Sequence, residues 1–144
     1  MSEAQETSAG QRVRLGMVGG GQGAFIGAVH RIAARLDGRY EFVAGALSSQ
    51  AERAMASAAE LGLDTDRSYP NYLKMAHTEA KRDDGIEAVA IVTPNHVHYP
   101  AAKAFLEAGI HVICDKPMTV TSEEGDQLVA LAKARGLILA VTYN

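Results

Sequence analysis

The segment from Val13 to Gly27, VRLGMVGGGQGAFIG, constrains the fold more than any other stretch of the chain. It reads as a short apolar strand, a glycine-rich turn and the start of a helix. Glycine lets the backbone turn tightly and approach a ligand that a Cβ would push away. The helix that follows offers unpaired N–H groups and the positive end of its dipole to a phosphate. Gly19-Gly20-Gly21-Gln22-Gly23-Ala24 fits G-x-G-x-x-A, a variant of the dinucleotide fingerprint. A run of glycines satisfies many patterns, and a plain strand-to-helix turn is the simpler alternative. Gly27 can instead take the third glycine role, close packing of helix on strand, which makes the loop three residues longer than usual. The expectation is that Gly19, Gly21, Gln22, Gly23 and Ala24, with Phe25 and Ile26 at the helix start, hold a pyrophosphate while Gly27 packs against the first strand.

The rest of the chain alternates strand-like and helix-like segments. Strands are expected at Arg12–Val18, Tyr40–Leu47, Ala88–Val92, His111–Cys114 and Leu137–Val141, and any strand before the Tyr69-Pro70-Asn71 turn must be short. Phe25, Val29, Ile32, Ala33 and Leu36 recur at helical spacing. Ser49-Gln-Ala-Glu52 and Thr121-Ser-Glu-Glu124 have the form of capping boxes that open two further helices. A helix around Tyr72–Lys81 follows the turn, and Pro100 suits the first turn of another that ends at Gly109. Such alternation implies right-handed βαβ units. The fold class is therefore α/β, a doubly wound and mostly parallel Rossmann-like sheet of about six strands with helices on both faces. With 144 residues the chain makes one domain, 12–144, after a disordered polar tail over residues 1–11.

Several function classes are excluded or disfavoured. A net charge of −3 gives no basic footprint for nucleic acid or anionic membrane. One cysteine, Cys114, permits no intrachain disulfide and no multi-cysteine zinc site. There is no membrane-length apolar run and no signal-peptide region, so the cytoplasm is the expected location. His96 and His98 form a His-x-His pair without further ligands arranged around it, so no metal is expected. His30 and His111 read as packing or surface residues, His77 as solvent-facing, and Cys114 as an inert core thiol. No Ser-His-Asp or G-x-S-x-G arrangement is visible.

A doubly wound sheet binds ligands outside the carboxyl ends of its strands. The loops that follow strands are therefore the candidates. After the second strand stand Ser48, Ser49 and Arg53, with a serine where an acid would hold a ribose 2′-hydroxyl; a 2′-phosphate is not repelled there, so NAD or NADP is admissible. After the third come Thr93, Pro94, Asn95 and His98. After the fourth come Asp115, Lys116 and Pro117. A lysine on such an edge can donate to a substrate hydroxyl or carry a proton, and its pKa shifts readily when desolvated.

Together, the glycine loop with His30, Thr93-Pro-Asn-His-Val-His98 and Ala108-Gly-Ile-His-Val-Ile-Cys-Asp-Lys-Pro117 resemble the Gfo/Idh/MocA oxidoreductases, the glucose–fructose oxidoreductase and inositol dehydrogenase family. The resemblance covers Arg12 to Asn144. It implies an N-terminal Rossmann domain that binds NAD or NADP, and a C-terminal substrate domain absent from this chain. It also implies oxidation or reduction of sugars, inositols and similar polyols, with Lys116 as the catalytic residue and a Lys116–Pro117 bond that is often cis. Asp115 departs from the family's usual Glu. The missing domain would supply the partner acid and base and the usual oligomer contacts, so the isolated chain is expected to be inactive. A self-contained, non-catalytic nucleotide-binding or sensor module is the alternative.

Overall fold

The structure, a computed structural model, describes residues 10–143. The tail expected over residues 1–11 lies outside them except for Gly10 and Gln11, which are exposed. In chain order the elements are β1 (Val13–Gly19), α1 (Phe25–Leu36), β2 (Tyr40–Ala46), α2 (Ala51–Glu60), a 3₁₀ turn (Thr65–Arg67), α3 (Tyr72–Glu79), β3 (Ala88–Val92), α4 (Asn95–Glu107), β4 (His111–Asp115), α5 (Ser122–Arg135) and β5 (Leu139–Thr142). The five strands form one parallel sheet in the order β2-β1-β3-β4-β5. A single parallel bridge, Gly45 to Ser68, stands where the short extra strand was expected.

β3 is central because every residue in it is buried. Val89 and Ile91 enter the core under α3, α4 and α5, with Phe105, Leu106, Met75 and Leu128. Ala88, Ala90 and Val92 enter the core under α1 and α2, with Leu15, Met17 and Ala58. This is the two-residue alternation of a strand covered on both faces. Burying side chains such as Phe105 or Leu106 contributes about 1.5–3 kcal/mol each. The chain leaves β1 toward β2 on one side and toward β3 on the other. The order therefore reverses between β1 and β3, and a crevice opens above their carboxyl ends.

Two local expectations need correction. Helix α4 starts at Asn95, so Pro100 sits inside it rather than in its first turn, and residues 95–98 are helical rather than loop. Pro94, the residue before the helix, ends β3 without preventing an immediate helical start. Helix α2 begins at Ala51 with Gln50 as its N-cap and no side-chain cap, so the Ser49–Glu52 box does not form. Ser48 instead accepts the Gln50 N–H (3.1 Å) and starts the helix one residue too late for that box. The second box does form: Thr121 accepts the Glu124 N–H, and the Glu124 carboxylate accepts the N–H of Val120. Gly136 closes α5 in the left-handed conformation, at φ 64°.

Candidate active site

The glycine loop runs from the end of β1 to Ala24, which precedes α1. It is held from three sides. Gly21 N–H donates to Leu47 O (3.1 Å), Gln22 N–H donates to Ser57 Oγ (2.9 Å), and Arg31 of α1 donates to Gly20 O (2.8 Å). Ser57, buried on α2, in turn donates to Arg53 O, which fixes its hydroxyl toward the loop. A Cβ on Gly21 would lie 2.7 Å from Leu47 O and 2.8 Å from Ser57 Oγ, so only glycine lets α2 come this close. A Cβ on Gly27 would lie 2.4 Å from Gly20 Cα. Gly27 does pack helix against chain as expected, but against the loop just beyond β1.

These bonds determine which groups face outward. The N–H groups of Gly21, Gln22 and Ala24 are taken by Leu47, Ser57 and Gly21 O. Those of Gly23, Phe25 and Ile26 have no protein partner among the described residues. Ala24, the N-cap, has no side-chain cap to offer them. The anion cradle thus narrows to Gly23 and the first turn of α1, a typical phosphate seat.

A cavity of 510 Å³ lies above the β1–β3 crevice. Gly19, Gly21, Gln22, Ala24, Ser48, Ser49, Arg53, Thr93 and Pro94 line it, as expected from the sequence. Pro70, Asn71 and Tyr72 complete the wall beside β2, and no carboxylate lines it. Gly23 and Phe25 instead line a smaller cavity of 300 Å³ between α1 and α2, and Ile26 lines neither. From α4 it is His96 and Val97 that line the main cavity, while Asn95 and His98 do not. The reason is the early helical start, which turns His98 inward. His98 is buried, with Nδ1 2.6 Å from Pro117 O and Nε2 2.9 Å from Thr93 O. Its ring meets two backbone carbonyls and is not offered to a dinucleotide.

Asp115 ends β4, the next strand along the same edge, Lys116 and Pro117 follow it, and all three lie outside the 510 Å³ cavity. The Lys116–Pro117 peptide is cis. Lys116 is exposed and has no ion pair among the described residues. The Asp115 carboxylate turns away from the edge: Thr142 Oγ1 donates to it (3.2 Å), and His30 Nε2 lies 3.6 Å away. His30 therefore has a specific partner that its position in the sequence did not reveal. Cys114 is wholly buried, and burial pushes its thiol up to about 12.

A larger cavity, 690 Å³, lies at the opposite edge of the sheet, beside Arg14, Glu79, Arg82 and Glu87. Most of its charges are already paired: Arg14 with Glu87, Glu79 with Arg67, and Arg82 with Asp84. The carboxyl edge, with unpaired N–H groups and an unpaired lysine, is the chemically open one.

The model of the oxidoreductase family, NAD-binding Rossmann fold (Gfo/Idh/MocA), matches residues 13–143. This chain belongs to the Gfo/Idh/MocA family. An oxidoreductase from Sinorhizobium meliloti is similar at 62% identity and a TM-score of 0.87, over 92% of this chain and 37% of that one. An inositol dehydrogenase homolog from Azotobacter vinelandii, complexed with NADH and myo-inositol, is similar at 43% identity and a TM-score of 0.90, over 92% and 35%. The uncharacterized oxidoreductase YfiI of Bacillus subtilis (strain 168) is 50% identical over 92% of this chain and 34% of its own length. The Gfo/Idh/MocA domain described here thus spans about a third of the length of these relatives. It is a dinucleotide-binding Rossmann domain of an oxidoreductase family. No described helix is long and apolar enough to cross a membrane.

Proposed function

We propose that this chain is the cofactor-binding domain of an NAD(P)-dependent oxidoreductase acting on a CH–OH group of a sugar, inositol or similar polyol. The observation that carries the reading is the succession of three loops on one edge. The glycine loop follows β1, Thr93-Pro94 follows β3 and Asp115-Lys116-Pro117 follows β4, and these strands are parallel neighbours in that order. The Azotobacter vinelandii relative, seen with NADH and myo-inositol, supports the substrate class.

The residues present fit such a cofactor. Gly23, Phe25 and Ile26 offer free N–H groups to a pyrophosphate, and Gly21 brings the backbone close. The acid-free wall of Ser48, Ser49 and Arg53 accepts a ribose with or without a 2′-phosphate, so either NAD or NADP suits it. Thr93 and Pro94 bound the cavity toward β4. A bound nicotinamide supplies hydride exchange at this edge. Lys116 donates a hydrogen bond from Nζ to the substrate hydroxyl, orienting and polarising it. A base from outside this chain takes the hydroxyl proton.

The chain alone binds dinucleotide weakly and turns over nothing. Calorimetric titration with NAD+ and NADP+ tests the first statement, and absence of heat with both removes the reading. Absorbance at the reduced-nicotinamide band, with inositols and hexoses as substrates, tests the second. Robust dehydrogenation by these 144 residues would refute it.

A further inference from the structure

Lys116 carries no contact that fixes its own side chain, yet a histidine stands beside the residue on either side of it. Before it, the Asp115 carboxylate lies 3.6 Å from His30 Nε2, and Thr142 Oγ1 bonds both that carboxylate (3.2 Å) and the imidazole (3.4 Å). After it, Pro117 O lies 2.6 Å from His98 Nδ1. The same His98 ring reaches Thr93 O at 2.9 Å. His98 is 1% exposed, and the side chains of His30 and Asp115 are 9% and 15% exposed. The two histidines come from α1 and α4, the helices that begin at the glycine loop and at the Thr93-Pro94 turn.

We infer that His30 and His98 are positioning residues that bracket Lys116 and tie its place to the two loops lining the dinucleotide cavity. The inference rests on the role given to Lys116 above. Three physical points carry it. Both partners of His98 are carbonyl oxygens, so the ring meets them with N–H: one in either neutral tautomer, both in the doubly protonated ring. A buried ring nitrogen left without its partner is unfavourable, so the ring resists leaving this slot. Finally, Lys116 itself is exposed and unpaired, so its location is set through its neighbours in the chain. Neither histidine lines the 510 Å³ cavity, which separates this role from cofactor contact.

The test uses this chain with ¹³C-labelled lysine, the Lys116 Cε signal being assigned through Lys116→Arg. On addition of NAD+ or NADP+, the Lys116 signal and the amides of Gly23 and Phe25 are expected to shift. In His98→Phe, which keeps a ring in the slot without a donor, the Lys116 shift is expected to be more than halved while the Gly23 and Phe25 shifts persist. His98→Gln, able to donate to one carbonyl, is expected to restore part of it. The inference is overturned if His98→Phe melts cooperatively and Lys116 responds as in the parent chain. Should His98→Phe fail to fold, the ring ¹H–¹⁵N spectrum of the unsubstituted chain decides. A His98 ring proton protected from solvent exchange supports the bracket, and ring protons that all exchange as freely as those of exposed His77 overturn it. A shift at Gly23 and Phe25 without one at Lys116 in the parent chain overturns the bracket and leaves dinucleotide binding standing. No shift anywhere overturns both.

Discussion

Two charged regions of this domain handle their side chains in opposite ways. Around α3, Glu79 is wholly buried and accepts four hydrogen bonds: two from Arg67 (3.1 and 2.6 Å), one from Tyr69 Oη (2.6 Å) and one from Ile86 N–H (3.0 Å). Arg67 also reaches Asp84 O, and Arg82 grips Asp84, whose carboxyl is held below its ordinary value by that bond. At the carboxyl edge, Lys116 and Arg53 have no ion pair among the described residues, and the first turns of α1 and α2 carry no side-chain cap. The first region is closed because its buried side-chain nitrogens and oxygens all have partners, and it ties the 3₁₀ turn, α3 and the 81–85 loop together. The second is open because its cationic side chains and first-turn N–H groups have no protein partner among the described residues. A domain can carry a fully neutralised charge cluster for shape and an unpaired one for chemistry, and hydrogen-bond satisfaction tells them apart more reliably than cavity size.

Substitutions sharpen this contrast. Glu79→Ala leaves the buried Arg67 with only the exposed Asp84 for a partner, and should destabilise the fold by about 3–5 kcal/mol in urea unfolding. A loss under 1 kcal/mol, roughly the value of an exposed pair, would break the comparison. Gly27→Ala drives a Cβ into Gly20 and should lower stability by about 1–3 kcal/mol and remove dinucleotide binding in calorimetry.

The closed regions should also be sensitive to alkali. Burial, followed by the bond to Glu79, raises the Tyr69 phenol, and burial raises the Cys114 thiol from 9.0 to about 12. A folded-state pKa above the unfolded one means that the native state holds its proton more tightly. That contribution is complete below the unfolded value and is lost as pH rises through the window up to the folded value. Urea midpoints should therefore fall as pH rises from about 9 toward about 12, and iodoacetamide should leave Cys114 unmodified at about pH 8 until the chain unfolds.

At the open edge the effects on stability are smaller. Ser57→Ala removes the acceptor of the Gln22 N–H and should cost about 1 kcal/mol, with weaker dinucleotide binding. Lys116→Ala should change stability by less than about 0.5 kcal/mol, because the side chain is exposed and unpaired. Lys103→Ala, which breaks an exposed pair with Glu107 at 3.9 Å, sets the same baseline.

Much of the architecture was legible because it follows from local periodicity. The unbroken apolar run of β3, the 3.6-residue repeat of α1 and the Thr121 box each announce themselves within a few residues. The start of α4 was not legible, because Pro94 reads as the end of a strand and Pro100 as a first-turn residue, and only the structure shows helix on both sides of Pro100. That displacement moved His98 from the expected cavity wall into the interior and brought His96 and Val97 forward. Ser57, the His30–Asp115–Thr142 cluster and the Arg67–Glu79 pair join residues far apart in sequence, and no local pattern marks them. The three loops of the site were legible as loops after strands, while their neighbourhood along one edge depends on the strand order.

That order has a kinetic consequence. β1 pairs with β3 in a register that sets Leu15 beside Ala88, 73 positions apart, after α1, β2, α2 and α3 in the chain. Parallel pairing over such a span is a slow, entropically costly step. The glycine loop has its supports once α1, β2 and α2 are in place, but its facing wall, Thr93-Pro94, arrives only when β3 docks. A ligand that touches both walls binds only chains that have completed this pairing, and so stabilises the finished sheet over partly paired chains.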